Sequence, residues 1–184
     1  TVSGLAKRYR LDIRCGSEVL SINRDDKSIT VREKETGETY EESYDKLILS
    51  PGAKPTQPRL PGIGIEKLFT LRTVEDTFRI KDYINQKHPK SAVLAGGGFI
   101  GLELAENLKE LGMDVTIVQR PKQLMNPFDA DMASFIHNEM RKHGVKLALG
   151  HTVEGFAEMG GSVDVLLKDE QPLHADMVIL AIGI

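Results

Sequence analysis

"SAVLAGGGFIGLELAENLKELGMDVTIVQRPK", residues 91–122, decides the fold. It opens on a short apolar run, Ala92 to Ala95, then three glycines, then Leu104, Leu108 and Leu111 at the i, i+4, i+7 spacing of a helix face. Gly112 stands where a helix ends on a left-handed residue, and Val115-Thr116-Ile117-Val118 follows as a second strand. The order strand, glycine loop, helix, strand predicts a βαβ unit. In it Gly96 turns the chain sharply, Gly98 leaves bare backbone for a pyrophosphate, and Gly101 lets the helix approach the sheet. Gly97 lies between them. The phosphates of a dinucleotide would rest on the helix N-terminus, where unpaired N–H groups and the helix dipole favour negative charge.

The residue that grips the adenosine ribose belongs at the end of the second strand, roughly 20 residues on, and is usually acidic in NAD sites. This chain has Gln119, then Arg120, then Lys122 two positions later. An amide can hydrogen-bond a hydroxyl, whereas Arg and Lys can pair with a 2′-phosphate. Both NADH and NADPH therefore stay open, as does the plainer reading of Arg120 and Lys122 as a solvated turn.

Beyond the loop, a helix is expected from about 131 to 143, with Met132, Phe135, Ile136 and Met140 on one face and the methionines in the core. A strand is expected over 145–149, with alternating segments around Gly160-Gly161 and an apolar closing run from Met177 to Ile184. Upstream, Thr73 to Asp76 has capping-box spacing and should start a helix that ends before Pro89. Four of the eight prolines fall in "PGAKPTQPRLPGIGIEK" (51–67), which reads as a linker whose Gly62-Ile63-Gly64 is a turn.

The front of the chain echoes the back. "KRYRLDIRCGSEVLSI" (7–22) lies without gaps on "RKHGVKLALGHTVEGF" (141–156), and "YDKLILSPGA" (44–53) lies on "ADMVILAIGI" (175–184). Helix end, strand, glycine, hairpin and closing strand recur in one order, which is the mark of a duplicated fold. The second copy has a glycine loop before it and the first does not. The expected fold class is therefore α/β: a Rossmann-like dinucleotide-binding domain with a parallel sheet and a β-meander, plus part of a second similar domain. Residues 1–55 would be the C-terminal part of one truncated domain and 56–184 most of another.

Composition narrows the partners. Lys plus Arg at 24 against Asp plus Glu at 27 gives a net charge of -3 and no basic excess for nucleic acid. No apolar run reaches the roughly 20 residues of a membrane span, so neither membrane nor nucleic acid is an expected partner. The start, Thr1-Val2-Ser3-Gly4, is neither Met nor signal-like, and a cut fragment of a cytoplasmic protein is expected. Cys15 is the single cysteine, which excludes a dithiol within one chain and any zinc cluster, and it reads as a small buried thiol. His88, His137, His143, His151 and His174 have no ligand spacing and read as surface or packing residues, so no metal is expected.

Two dinucleotide-binding domains in tandem resemble the FAD-dependent pyridine nucleotide-disulfide oxidoreductases, on "GGGFIGLELAE" (96–106), "YDKLILSPGAKP" (44–55) and "VILAIGI" (178–184). Many relatives have Ala-Thr-Gly where this chain has Ser50-Pro51-Gly52. That form is similar to the branch of coenzyme A-disulfide reductases, NADH oxidases and NADH peroxidases. The resemblance implies that 1–55 belong to an FAD domain, with Val19 and the Ser50-Pro51-Gly52 turn near the flavin nucleotide, and that 56–184 bind NAD(P)H. It places Phe99, as a gating aromatic, and Ile100 by the nicotinamide. It also places Gly183 with its backbone toward that ring, and Glu103 as an auxiliary carboxylate near nicotinamide and flavin. First-turn stabilisation of the helix dipole is the other reading of Glu103.

The implied chemistry is hydride transfer from NAD(P)H to FAD and on to a cysteine-based centre that reduces a disulfide, persulfide, peroxide or oxygen, in a protein expected to be a homodimer at full length. The redox cysteine would lie upstream of Thr1, so the fragment is expected to be inactive alone. A non-catalytic NAD(P)-binding redox-sensing module is the alternative, although a sensor has no need of a truncated second copy. An ordinary single-domain dehydrogenase would need a Tyr-Lys or His-Asp constellation that the sequence lacks.

Overall fold

The structure is a computed structural model that describes residues 1–183, so the last residue of the closing run, Ile184, lies outside the described residues. The chain divides into two compact units, Thr1–Gly52 and Ala53–Ile184. The first begins with helix α1 (Val2–Tyr9) and continues as strands β1 (Ser17–Asn23), β2 (Ser28–Glu33) and β3 (Thr39–Ser43), paired in that order as an antiparallel sheet.

The second unit runs β4 (Leu68–Thr70), α2 (Val74–Lys87), β5 (Ser91–Ala95), α3 (Phe99–Glu110), β6 (Asp114–Gln119), α4 (Ala130–Lys142) and β7 (Lys146–Leu149). It closes with β8 (Val153–Met159), β9 (Ser162–Leu167), β10 (Leu173–Ala175) and β11 (Met177–Leu180). Five parallel strands form one sheet in the order β4-β11-β5-β6-β7, and β8, β9 and β10 form an antiparallel meander. Both faces of the parallel sheet are covered, so its strands are apolar throughout rather than alternating. Ala92 and Leu94 of β5 pack with Ala105 and Leu108 of α3, whereas Val93 and Ala95 pack with Val163, Val165 and Phe156 of the meander. The expected α/β fold with a parallel sheet and a meander is the one observed.

Polar contacts fix the ends of these elements. Thr73 accepts from the Asp76 amide while the Asp76 carboxylate accepts from the Thr73 amide, the capping box expected from the spacing. The Asp176 carboxylate accepts from the backbone N–H groups of Lys90 and Ser91, which sets the register of β11 against β5. The Gly62 turn packs on β8, where Pro61 O accepts from Phe156 N at 2.9 Å.

The duplication is visible in three dimensions. Each meander opens with a bulge at the matched place, Val19/Ser21 in β1 and Val153/Gly155 in β8. A bulge is a built feature of a strand, so its recurrence supports common descent of the two units.

The two copies differ where sheet partners are concerned. The expected strand before Gly16 and the expected closing strand at 46–49 are not strands. Their counterparts, β7 and β11, are held by parallel neighbours β6 and β5, and among the described residues unit 1 has no such strand. Ile179 in β11 is completely buried, while its counterpart Ile48 is 88% exposed. Cys15 is exposed for the same reason, contrary to the buried thiol expected. In α4 the buried stripe is Ala133, Ile136, His137 and Met140, and the expected core residues Met132 and Phe135 face solvent. Ala133 allows close packing at the centre of that stripe, which rotates the apolar face away from Met132. Among the described residues no helix is long and apolar enough to cross a membrane.

Ile179→Ala is expected to lower the stability of the chain by about 2–5 kcal/mol through lost burial and a cavity. Ile48→Ala is expected to stay within about 0.5 kcal/mol of the unaltered chain. Urea unfolding of both variants checks the pair, and equal effects would contradict the packing difference.

Candidate functional site

β5, β6 and β11 end together at the carboxyl edge of the parallel sheet. From β5 the chain proceeds to β6 on one side and returns through the meander to β11 on the other, so the order reverses between β5 and β11. Open α/β sheets bind ligands in the crevice at such a point. Here the crevice is a cleft of about 550 Å³, lined by Gly96, Gly97, Gly98, Gln119, Arg120 and Gly183 among others. That volume suits a small organic ligand. The lining contains no Asp or Glu, and its charged or titratable members are Arg120 and His151, which favours an anion.

Each loop glycine has its own physical reason. Gly96 has φ +118, and a Cβ there would overlap the carbonyl oxygen of Ala181, the residue after β11. A Cβ on Gly101 would overlap the Gly96 carbonyl oxygen, so α3 can begin this close to the sheet only with glycine. Gly98 is different, because a Cβ there would meet no protein atom within 4 Å. That open space lies at the N-cap of α3, where no side chain caps the first turn. A phosphate group fits there, where it would meet free helix N–H groups rather than a side chain.

Gly97 is held on both sides. Its N–H donates to Gln119 Oε1 at 3.0 Å, and its carbonyl accepts from Met125 N at 2.8 Å. Gln119 thus spends its oxygen on the glycine loop, and only its NH2 remains to donate to a ligand. Arg120 is exposed at the rim, and no carboxylate of the described residues pairs with it. Both groups offered to the ribose end are therefore donors, which suits a 2′-phosphate as well as a hydroxyl oxygen. The Lys122 stem packs beside Gly150 instead of lining the cleft.

Phe99 and Ile100 are exposed at the start of α3, and Phe99 meets Phe128 edge-on with ring centroids 6.4 Å apart. Glu103 is exposed on α3, outside the cleft lining and beyond the first turn, so the first-turn dipole reading does not apply to it. Gly183, with φ +110, lies in the lining, and its carbonyl accepts from Thr56 N at 2.9 Å. In unit 1, Val19 is half-exposed and Ser50, Pro51 and Gly52 are exposed.

Several cleft residues lay outside the sequence reading. Asn126 and Pro127 come from the loop after β6, His151 to Val153 from the turn into β8, and Pro58 and Leu60 from the proline-rich segment. The two prolines flanking 121–127 are the one sequence signal that could have marked that loop as fixed.

Comparison with known proteins identifies the family. The family model described as pyridine nucleotide-disulphide oxidoreductase matches residues 4–184. An NADH oxidase of Enterococcus faecalis is 35% identical over 173 residues, 93% of this chain and 38% of that protein. A coenzyme A disulfide reductase of Staphylococcus aureus is 33% identical over 178 residues, 96% of this chain and 39% of that protein. The crystal structure of reduced Bacillus anthracis CoADR-RHD superposes with a TM-score of 0.88 at 50% identity, over 100% of this chain and 33% of that one. The chain therefore spans less than two-fifths of the curated relatives it matches.

Gly98→Ala adds a methyl into open space and is expected to leave thermal stability unchanged while weakening dinucleotide binding roughly tenfold or more, a loss of at least about 1.4 kcal/mol. Gly101→Ala is expected to lower the melting temperature. Thermal unfolding with nucleotide titration of both variants checks the contrast, and unchanged binding by Gly98→Ala would contradict the phosphate seat.

Proposed function

The chain belongs to the pyridine nucleotide-disulphide oxidoreductase family, and from that membership we propose that it is the NAD(P)H-binding part of an FAD-dependent oxidoreductase with flanking flavin-domain sequence. The observation that carries this reading is the acid-free cleft at the sheet's switch point, with an open, uncapped helix N-terminus at Gly98. When both are bound, the nicotinamide and flavin supply hydride transfer, and the protein's part is orientation and exclusion of water.

In this reading the α3 N-terminus and the Gly96–Gly98 backbone hold the pyrophosphate. The Gln119 NH2 and the Arg120 guanidinium hold the adenosine ribose or its 2′-phosphate. Gly183 offers bare backbone at the opposite end of the cleft, and Phe99 covers the nicotinamide side beside Ile100. Glu103 and Lys122 contribute charge from outside the cleft. Residues 1–55 supply Val19 and the Ser50-Pro51-Gly52 turn to a flavin site that the whole protein completes. The exposed run Leu47-Ile48-Leu49 supports that placement, since its counterpart β11 is an interior strand of a parallel sheet. The electron acceptor would be a small disulfide, persulfide, peroxide or oxygen.

Expression of the complete reading frame tests the flavoenzyme reading. A yellow protein bleached by NADPH or NADH without oxygen is expected. A colourless protein that binds nucleotide would overturn that reading in favour of a redox-sensing module. For nucleotide choice, Arg120→Ala is expected to weaken NADPH binding by about tenfold, the scale of a charge-assisted hydrogen bond, and to leave NADH binding unchanged. Calorimetric titration of the 184-residue chain checks this, and tighter binding of NADH than of NADPH by the unaltered chain would contradict the phosphate role of Arg120.

A further inference from the structure

The loop between β6 and α4 forms one wall of the cleft, and it has little secondary structure to hold it there. Asn126 and Pro127 line the cleft, Leu124 lies against Gly97, and Phe128 meets Phe99. Internal bonds fold this loop on itself, with Phe128 N donating to Met125 O and Gln123 Nε2 donating to Phe128 O, both at 2.8 Å. Gly150 N donates to Pro121 O at the start of the loop, and among the described residues two further bonds anchor residues 123–128 to the rest of unit 2. One is Met125 N to Gly97 O, and the other is Leu124 N to His137 Nε2 at 2.9 Å.

We propose that His137 is a positioning residue for the nucleotide site: its Nε2 holds the Leu124 amide, and through it the Gln123–Phe128 loop, against the glycine loop. The proposal rests on the reading of the cleft as a dinucleotide site. His137 does not line the cleft and acts through Leu124, whose side chain is completely buried beside Gly97. The loop in turn supports Gly97, whose amide Gln119 holds from the other side. The wall of the cleft and the phosphate-binding backbone are thus one hydrogen-bonded assembly, with a histidine at its far end.

A backbone N–H can only donate, so the tie requires a lone pair on Nε2 and the ring proton on Nδ1. Protonation of His137 would set two donors against each other and break the tie. Burial, joined by the positive Arg141 one turn along α4, holds the imidazole below its ordinary value of 6.5. The loop from Arg120 to Asp129 contributes three charged side chains, Arg120, Lys122 and Asp129, and none adds to that shift. The neutral ring is the form favoured in the folded chain. The tie is therefore complete above pH 6.5 and is lost as pH falls through the lower, folded value. Nucleotide affinity should weaken over the same range.

Two other groups at the site have to be separated from His137. His151 lines the cleft, so the His137 variants rather than the pH profile alone decide the assignment. The 2′-phosphate of NADPH gains a proton near pH 6, which is why both nucleotides are used.

The test is titration of the 184-residue chain with NADH and with NADPH from pH 5 to 8, unaltered and as His137→Gln and His137→Leu. Amide exchange of Leu124 and Met125 is followed in parallel. Gln presents an acceptor oxygen near the place of Nε2 and does not titrate. The unaltered chain should lose affinity for both nucleotides at low pH, with faster exchange at Leu124. His137→Gln should bind nearly as tightly as the unaltered chain at pH 7.5 and lose less at pH 5.5, and His137→Leu should bind weakly throughout. Equal affinity of His137→Leu and the unaltered chain at pH 7.5, or the same pH profile for His137→Gln as for the unaltered chain, would overturn the proposal while leaving the nucleotide reading intact. No binding of either nucleotide at any pH would overturn both.

Discussion

Gly97 has both of its backbone polar groups bound by neighbours, its N–H by Gln119 Oε1 and its carbonyl by Met125 N–H. The site described above depends on that pair of bonds. A glycine loop is an entropic liability unless something fixes it, because glycine loses more freedom on ordering than any other residue. Here the end of β6 fixes it from one side and the loop after β6 from the other. With Gly97 held, Gly96 can turn under the Ala181 carbonyl, Gly101 can sit on the Gly96 carbonyl, and α3 points its uncapped N-terminus into the cleft. The open space at Gly98 is then fixed in shape, as the proposed phosphate seat requires, rather than a loose turn.

This arrangement divides the work between two kinds of residue. In the proposed reading the glycines and α3 would supply affinity for any dinucleotide through backbone N–H groups and the helix dipole. Gln119 and Arg120 would supply the choice between nucleotides, because they present donors and no acceptor carboxylate where an NAD site usually carries an acid. Gln119 serves both purposes. Its oxygen orders the loop, so replacing it by Ala would disturb the loop as well as the proposed ribose contact.

The sequence made some of this legible and hid the rest for physical reasons. The glycine spacing, the strand before it and the apolar helix face after it are local patterns, and the βαβ unit followed from them directly. The echo between residues 7–22 and 141–156 was also legible, with Val19 set against Val153, whereas the bulge at each needed the strand pairing to show it. Residues 46–49 failed as a strand because strand formation is decided by neighbours in the sheet, which a local apolar run does not reveal. Met132 and Phe135 were assigned to the wrong face of α4, since Met132, Phe135, Ile136 and Met140 form as good a helical stripe on paper as Ala133, Ile136, His137 and Met140. Choosing the second stripe puts a histidine among the packed residues. The sequence reading therefore treated His137 as surface or packing, and its hydrogen bond to Leu124 became visible only when α4 was set against the loop.

The central claim is that the backbone from Gly97 to Gly101 is the seat of the dinucleotide's phosphates. Amide chemical shifts of the 15N-labelled chain, followed during addition of NADPH and of NADH, test it most directly. The account predicts the largest changes at Gly98, Phe99, Ile100 and Gly101, with smaller ones at Gln119 and Arg120. Saturable binding whose largest changes fall elsewhere, with the Gly98–Gly101 amides unmoved, would contradict it.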